Sequence, residues 1–398
     1  MKVVILGAGA MGTGIGQVAA QNGHEVGYYD AYPGAIDRSK ASIDKIFKRL
    51  VEKGRMTEAV MAEVMARMNW SESLSIVDGA DLVIEAVIED LAIKKALFTA
   101  VEERVSERAL LCTNTSSLSV AAISSALKHP ERFGGLHFFN PAPLMPLVEI
   151  IPSIQSSDDW AETMESMMTS WGKTPVIAKD TPGFIVNKVA RPYYSEAIKL
   201  LEEGVASIAE IDAALTGVGF KMGPFELMDL IGHDVNFTVT ETVWSQFFYD
   251  PRFRPSITQK RLKEAGMLGR KSGRGFYNHS DDSEGPAALK AAVDLDETLS
   301  DKMVERIICM LANEGLDAVW LGIASADNVD LAMTKGVNYP KGPLAWGAEI
   351  GWSKVLKVLE NCHDYYGDDR YRPCPLLRHL ESGNAELGAG EMDDSFMI

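Results

Sequence analysis

Hydrophobic and polar positions follow two periodicities along the first 180 residues. Short apolar runs, such as those at 2–6 and 81–87, predict buried strands, and the stretches between them have the spacing of amphipathic helices. This alternation predicts an α/β fold with a mostly parallel, Rossmann-like sheet covered by helices. The other expected elements are strands at 25–30, 109–112, 147–151 and 175–178 and helices near 35–55 and 90–105.

After residue 180 the pattern becomes almost entirely helical, and part of it occurs twice. Gly-Val-Ala-Ser at 204–207 returns as Gly-Ile-Ala-Ser at 322–325, and Arg-Phe-Arg-Pro at 252–255 returns as Arg-Tyr-Arg-Pro at 370–373. Two copies are too few for a solenoid, so we predict two tandem all-α domains. The predicted divisions are a nucleotide-binding domain (1–180), a first helical domain (181–280), a linker (281–292), a second helical domain (293–382) and a mobile acidic tail (383–398).

The first strand leads into Gly7-Ala8-Gly9-Ala10-Met11-Gly12, and a helical pattern and a second strand ending at Asp30 follow. In this context Gly7 permits a tight turn, Gly9 lets the backbone approach a pyrophosphate, and Gly12 lets the helix pack closely. The helix N-terminus then favours an anion. Asp30 is expected to accept hydrogen bonds from an adenosine ribose, which favours NAD over NADP. The alternative is an ordinary acid at the end of a strand.

Composition narrows the class of protein. The chain of 398 residues has a net charge of −17, which argues against nucleic acid and anionic membranes as partners. It lacks a run of about 18 apolar residues, and its first strand leaves no room for a signal peptide. Its four cysteines form no CxxC pair, so reduced thiols are expected and a metal site is not. We therefore expect a cytoplasmic protein.

A cluster of basic residues falls on the helix predicted at 35–55. Lys45, Arg49 and Lys53 are four residues apart and share one helical face. Such a face is either solvated or a binding site for a phosphorylated ligand.

Candidate acid–base chemistry lies at Gly135-Leu136-His137-Phe138-Phe139-Asn140-Pro141, with Glu149 shortly after. An imidazole can take the proton of an alcohol near neutral pH, and a neighbouring carboxylate can orient the ring. The two side chains meet only if the chain turns back between them. The alternative is a hydrogen-bonded structural histidine.

Two further polar positions follow predicted boundaries. Ser116, in Asn114-Thr115-Ser116-Ser117, comes after a strand and so lies at the carboxyl edge of the sheet, where ligands bind. The alternative role of this segment is to supply the N-cap of a helix at 119–127. Asn187, at the start of the helical half, is the other candidate. The alternative interpretation is that it is an ordinary polar residue of a helix.

Taken in order, these segments resemble the L-3-hydroxyacyl-CoA dehydrogenases. The resemblance covers residues 1 to about 280, and the repeat resembles the same helical domain again. It is carried by the glycine loop and by the segments at 84–89, 114–118, 135–141, 180–187, 223–227 and 269–277.

The resemblance implies a role for each matching residue. His137 is the implied base, Glu149 its partner, and Ser116 and Asn187 the groups that bind the substrate oxygen. Lys53 would contact coenzyme A, whereas Ile46 stands where the family can carry Ser. The implied NAD contacts are Gly7, Gly9, Met11, Gly12, Asp30, Glu89, Lys94, Ser116, Asn140 and Lys271.

The implied activity is reversible oxidation of (S)-3-hydroxyacyl-CoA to 3-ketoacyl-CoA with NAD and without a metal. The alternatives are another NAD-dependent hydroxy-acid or sugar-acid dehydrogenase, or a non-enzymatic NAD-binding protein on the same scaffold. Glu305 occupies the position of Asn187 in the second helical copy, which is therefore expected to be structural. It could replace part of a dimer interface, so the chain is expected to be a monomer or a homodimer.

Overall fold

The computed structural model describes residues 1–383 and divides into two compact units, Met1–Thr181 and the residues from Pro182 onward. The predicted tail, 383–398, lies outside the described residues except for Gly383. The first unit carries the sheet and the second is helical.

The first unit contains eight strands. They are β1 (Lys2–Leu6), β2 (Glu25–Tyr29), β3 (Met68–Ser71), β4 (Leu82–Glu85), β5 (Leu110–Thr113), β6 (Phe133–Phe138), β7 (Leu147–Pro152) and β8 (Thr174–Ile177). They form one sheet in the order β3-β2-β1-β4-β5-β6-β7-β8. Every neighbouring pair is parallel except β6 and β7, which are antiparallel. The predicted α/β class and mostly parallel sheet are confirmed.

Six helices accompany this sheet. They are α1 (Ala10–Gln21), α2 (Ala35–Glu52), α3 (Glu58–Ala66), α4 (Leu91–Glu102), α5 (Val120–Ser124) and α6 (Trp160–Ser170). Each longer helix buries apolar residues spaced by one turn, as Ile43 and Phe47 show on α2. The carboxyl ends of β1, β2, β4, β5 and β6 point the same way, so the loops after them lie along one edge.

Two strands and two helices of this unit were not predicted. In β6, Gly134 and Gly135 interrupt the apolar run, which weakens the strand pattern. The short strand β3 has the sequence Met-Asn-Trp-Ser, which is too short for a clear alternation of apolar and polar residues. The helices α3 and α6 are both rich in Met, and their sequence pattern did not predict them.

The second unit consists of helices. They are α7 (Val186–Val189), α8 (Arg191–Glu202), α9 (Ile208–Gly217), α10 (Pro224–Ile231), α11 (His233–Gln246), α12 (Ile257–Glu264), α13 (Pro286–Ala291), α14 (Glu297–Trp320), α15 (Ala326–Gly336), α16 (Pro343–Ile350), α17 (Trp352–Tyr366) and α18 (Pro375–Glu381).

The repeat in the sequence is a repeat in the structure. In each copy an aspartate accepts hydrogen bonds from two backbone N–H groups at the start of the helix that follows a Gly-Pro pair. Asp212 does so for α10 and Asp330 for α16. The same capping device at equivalent positions shows that both copies fold alike.

Ion pairs also connect the two helical copies. Arg252 of the first copy reaches Glu314 on α14 at 3.5 Å, and Arg370 of the second copy reaches Glu196 on α8 at 3.1 Å. Because both glutamates are fully buried, these pairs form inside the packed helices. The two copies therefore pack together within one compact unit.

The segment predicted as a linker, 281–292, includes a short helix. It contains α13, which packs on α9, and Lys290 on this helix bonds Glu226 at 2.7 Å. The Ser-, Asp- and Gly-rich composition concealed the helix, because its apolar face is only one turn long.

Candidate active site

The glycine loop after β1 has the geometry that the motif predicted. Gly7 has a φ of 105°, and a Cβ there would lie 2.5 Å from the carbonyl oxygen of Ala86. A Cβ on Gly12 would lie 1.9 Å from the carbonyl oxygen of Gly7. At Gly9, by contrast, a Cβ would meet nothing within 4 Å. The backbone at Gly9 is thus open to close approach, which fits a pyrophosphate at the N-terminus of α1.

Asp30 joins this loop to the end of β2. Its Oδ2 accepts a hydrogen bond from the Ala8 N–H at 2.8 Å, and its Oδ1 accepts one from the Tyr32 N–H at 2.8 Å. Each carboxylate oxygen keeps a second lone pair. The side chain can therefore hold the loop and still accept a bond from a ribose hydroxyl.

Glu89 accepts several hydrogen bonds from the polar segment that follows β5. Its Oε1 accepts hydrogen bonds from the Thr115 hydroxyl at 2.5 Å, from the Ser116 N–H at 2.8 Å and from the Ser117 N–H at 3.2 Å. Burial raises the pKa of Glu89, but the charge of Lys94 and these hydrogen bonds outweigh burial and lower it overall. Glu89 is thus a carboxylate at neutral pH and fixes the backbone at Ser116.

The alternative role of this segment as a helix cap is wrong. The helix begins later, at Val120, and its cap is Ser119, whose hydroxyl accepts a bond from the Ala122 N–H at 3.1 Å. The carboxylate of Asp180 also accepts from the Val120 N–H at 3.0 Å and the Ala121 N–H at 2.7 Å. These groups accept hydrogen bonds from the backbone N–H groups of the first turn, so Ser116 is not needed as a cap.

Lys94 lies beneath this site. Its ammonium is 2.6 Å from Glu85 Oε1 and 3.1 Å from Glu89 Oε2, and its side chain is 1% exposed. Glu85 is fully buried and also accepts a bond from the Thr113 hydroxyl at 2.6 Å. Lys94 therefore has almost no surface for direct contact with a cofactor, and the structure places it as the support of Glu89. The sequence pattern did not identify Glu85 or Thr113, because both lie within ordinary strand runs.

His137 and Glu149 are paired across the sheet. They are register partners in the antiparallel strands β6 and β7, and His137 Nδ1 is 2.6 Å from Glu149 Oε2. The histidine side chain is 8% exposed and the glutamate is fully buried. With the Nδ1 proton directed at the carboxylate, the neutral ring carries its lone pair on Nε2. The reversal of the chain between β6 and β7 thus brings the two predicted residues together.

Asn114 secures the strand end beside this pair. Its Oδ1 accepts a hydrogen bond from the Phe138 N–H at 2.8 Å, next to His137 in the chain. The ring of Phe139 lies 4.5 Å from the imidazole, centroid to centroid. Asn114 was predicted only as part of a motif, and its role in holding the end of β6 emerges from the structure.

A large cavity lies along the basic face of α2. It has a volume of about 980 Å³, and its walls include Gly9, the loop at 140–144 and the basic residues Arg49 and Lys53. Ile46 also lines it, so the cavity wall is apolar at that position. Lys45 does not line it, contrary to the expectation that it would share the binding face. Arg38 and Arg55, which are not part of the predicted face of Lys45, Arg49 and Lys53, do line it.

Two other predicted NAD contacts lie near the glycine loop. Met11 is partly buried and packs on the core of the unit, and Asn140 is exposed at the cavity wall. Both positions are compatible with contact to a ligand at the loop.

The helical unit carries the remaining predicted residues. Asn187 is partly exposed on α7, next to Lys188, whose ammonium is buried between Glu314 at 2.9 Å and Asp317 at 2.8 Å. Lys271 is 44% exposed and forms an ion pair with Asp234. Across residues 1–383, no group of three His, Cys, Asp or Glu side chains could hold a metal ion. In the same part of the chain, none of the helices has both the length and the apolarity needed to cross a membrane.

Comparison with known families decides what this arrangement belongs to. Residues 2–181 match the family model described as "3-hydroxyacyl-CoA dehydrogenase, NAD binding domain". Residues 183–279 match the model described as "3-hydroxyacyl-CoA dehydrogenase, C-terminal domain", and residues 303–390 match it again. The chain belongs to the 3-hydroxyacyl-CoA dehydrogenase family. The second match to one model confirms that the helical domain is duplicated.

Relatives of this dehydrogenase differ in how much of this chain they cover. The 3-hydroxyadipyl-CoA dehydrogenase of Escherichia coli K12 is 40% identical, over 96% of this chain and 98% of its own length. The 3-hydroxybutyryl-CoA dehydrogenase of Clostridioides difficile is 38% identical, and its whole length covers 70% of this chain. A crystal structure described as 3-hydroxybutyryl-CoA dehydrogenase from E. coli K12 is 38% identical with a TM-score of 0.89, over 97% of this chain and 99% of that one.

Family membership settles the coarse function. The chain is an oxidoreductase, and NAD is its cofactor. The alternative of a non-enzymatic NAD-binding protein is thereby set aside.

Proposed function

We propose that this enzyme oxidises (S)-3-hydroxyacyl-CoA to 3-ketoacyl-CoA reversibly, with His137 as the base and Glu149 as its partner. The observation that carries the proposal is the 2.6 Å contact between His137 Nδ1 and Glu149 Oε2 in a buried setting. The names of the relatives, which specify 3-hydroxyadipyl-CoA and 3-hydroxybutyryl-CoA, support the same reaction type.

The proposed proton path follows from the tautomer. His137 Nε2 takes the proton of the 3-hydroxyl group, and Glu149 stabilises the imidazolium that forms. Bound NAD supplies the hydride acceptor. In the reverse direction protonated His137 returns the proton to the oxygen. Ser116 and Asn187 are proposed to hydrogen-bond that oxygen, where charge changes during the reaction.

The chain supports the cofactor at one edge of the sheet. Gly7, Gly9 and Gly12 shape the loop for the pyrophosphate, and Asp30 is proposed to accept from the ribose. Glu89 is proposed to contact the nicotinamide half, and Lys94 acts through it. Lys271, Met11 and Asn140 remain proposed contacts.

Coenzyme A is proposed to occupy the cavity along α2. Its phosphates require cations, and the cavity wall supplies Arg49 and Lys53 together with Arg38 and Arg55. The net charge of −17 makes this local concentration of positive charge distinctive. It is the feature that favours a coenzyme A thioester over a free hydroxy acid or sugar acid.

The second helical copy is proposed to be structural. The exchanged pairs Arg252–Glu314 and Arg370–Glu196 show that each copy supplies the other with buried contacts. Short members of the family are expected to obtain such packing from a second chain. We expect a monomer in sedimentation, and an obligate dimer formed through the first copy would contradict this role.

A comparison of two substrates tests the proposed function. We expect NADH to reduce free acetoacetate at least about a hundredfold more slowly than acetoacetyl-CoA, because the phosphate contacts are lost. Equal rates on both would favour the alternative of a hydroxy-acid or sugar-acid dehydrogenase.

A further inference from the structure

Arg191 differs from the other buried cations of the helical unit. Lys188, Arg252 and Arg370 all form ion pairs with carboxylates. Arg191 is 4% exposed, yet no carboxylate within residues 1–383 pairs with it. Buried charges in proteins are normally paired, since the loss of hydration is otherwise uncompensated. The described part of the chain thus presents a buried guanidinium and supplies no counter-ion.

The guanidinium is held in a defined orientation. Arg191 Nη1 donates a hydrogen bond to the Thr240 hydroxyl at 3.0 Å, and Arg191 Cζ lies 5.0 Å from the centroid of the Tyr194 ring. The Thr240 hydroxyl in turn donates to the Asn236 carbonyl at 2.9 Å. Arg191 Nε is buried and has no hydrogen-bond partner among residues 1–383. One edge of the planar group is therefore fixed, and its Nε remains a donor to be satisfied.

A second unsatisfied donor accompanies it. The hydroxyl of Tyr339 is buried without a hydrogen-bond partner among the described residues, and it interacts electrostatically with Arg191. Burial raises the pKa of Tyr339 well above its ordinary value, so the hydroxyl keeps its proton and can donate it in a hydrogen bond. The ring is held by contact with Phe220, at 4.9 Å between centroids. An arginine and a neutral phenol, each with one unsatisfied donor, are complementary to an anion with two oxygens.

The position of Arg191 relates it to the proposed substrate. Asn187 and Arg191 are four residues apart across the junction of α7 and α8, where Ala190 has helical dihedrals. This spacing corresponds to about 6 Å along the helix and places both residues on roughly one side. If Asn187 binds the 3-oxygen, Arg191 lies within reach of the far end of a short acyl group.

We propose that Arg191 and Tyr339 bind the terminal carboxylate of a dicarboxylic 3-hydroxyacyl-CoA, an inference that rests on the proposed function. The planar guanidinium matches a carboxylate, and the charge-assisted bonds would supply the missing counter-ion. A methyl-ended acyl group of equal length would leave Arg191 buried and unpaired. The same two residues would therefore select for the diacid and against the monoacid. Tyr339 belongs to the second helical copy, which would then contribute to specificity as well as to packing.

Two thioesters of equal length test the proposal. We would measure kcat/KM with NADH for 3-ketoadipyl-CoA, which ends in a carboxylate, and for 3-ketohexanoyl-CoA, which ends in a methyl group. We expect the enzyme to prefer the diacid by roughly a hundredfold or more, and Arg191→Met to abolish that preference. Tyr339→Phe should reduce it by about fivefold to tenfold. Arg378→Met, the same change at an exposed ion pair with Glu360, should leave the preference unchanged.

Thermal melting separates binding from a structural role. If Arg191 binds the substrate, Arg191→Met should keep or raise the Tm, because an uncompensated buried charge is removed. A lower Tm with an equal loss of activity on both thioesters would contradict the proposal. Equal rates of the unaltered enzyme on both would overturn the role of Arg191 and leave the proposed function standing. Reduction of neither would overturn the proposed function itself.

A binding measurement covers the case in which Arg191→Met does not fold. Calorimetry of the unaltered enzyme with adipyl-CoA and hexanoyl-CoA, which cannot be reduced at C3, should show at least about tenfold tighter binding of the diacid. Equal affinities would overturn the proposal.

Discussion

Glu149 lies directly opposite His137 in the antiparallel pair β6–β7, with Oε2 at 2.6 Å from Nδ1. Two rigid strands therefore set the orientation of the imidazole, and no flexible loop is involved. Because the carboxylate is fully buried, its interaction with a charged ring is weakly screened. In the proposed mechanism the pair stabilises an imidazolium that exists only during proton transfer.

This arrangement predicts a large effect of removing the charge of Glu149. Glu149→Gln keeps the shape but cannot stabilise the imidazolium, so kcat for acetoacetyl-CoA reduction should fall by roughly a hundredfold or more. The rate is measured from NADH absorbance. Glu165→Gln on the exposed face of α6 is the matched control and should leave kcat unchanged. A kcat within a factor of two of the unaltered enzyme would remove Glu149 from the mechanism.

Lys94 is predicted to control NADH binding through Glu89. In Lys94→Met the charge that lowers the pKa of Glu89 is lost, so that pKa rises and Glu89 takes up a proton at higher pH. A protonated Glu89 accepts weaker bonds from Ser116. The NADH dissociation constant should therefore increase by about tenfold at pH 7, and more at pH 5.5. Fluorescence titration measures it, and Lys95→Met on the same helix is the control. An unchanged constant at both pH values would show that Lys94 does not act through Glu89.

The basic cavity predicts a selective effect on coenzyme A. Lys53→Gln should raise the KM for acetoacetyl-CoA by roughly threefold to tenfold and leave the KM for NADH unchanged, because one phosphate contact is lost. The effect should shrink as salt is added. Lys48→Gln is the control, since Lys48 lies on α2 shortly before Lys53 and pairs with Asp44 outside the cavity wall. Equal changes in both KM values would place Lys53 outside the coenzyme A site.

Asp212 predicts how stability depends on pH. Burial raises the pKa of Asp212 to about 7, despite the hydrogen bonds that it accepts from Phe225, Tyr277 and Glu226. The unfolded value is about 3.9, so between these values the folded state binds more protons and stability falls as pH rises. The Tm of Asp212→Asn should therefore depend less steeply on pH between 4 and 7 than that of the unaltered enzyme. Asp301→Asn, an exposed control, should keep the original slope, and identical slopes in all three proteins would contradict the assignment.

Sequence patterns predicted the parts of the candidate site that are formed by residues close together in the sequence. The turn at Gly7, the strand before it and the acid at Asp30 are all specified within 30 residues, so the sequence could reveal them. His137 and Glu149 were also identified as a candidate pair. Their contact depends on the antiparallel pairing of β6 and β7, and the glycines in β6 hid that strand.

Contacts between distant segments could not be predicted. Glu85 reads as a buried strand residue, and only the fold brings Lys94 against it. In the sequence, Arg191 is one more charged residue on an amphipathic helix. That no carboxylate within residues 1–383 pairs with it can be recognised only when the positions of the carboxylates are known. The exchange between Arg252 and Glu314 likewise requires both helical copies in place.

The most direct test of the account is His137→Gln. We expect kcat for acetoacetyl-CoA reduction to fall by about a thousandfold, because the acid–base group is lost, with the NADH dissociation constant and the Tm nearly unchanged. If His137→Gln folds, binds NADH and turns over at the rate of the unaltered enzyme, His137 is not the base and the proposed mechanism is wrong.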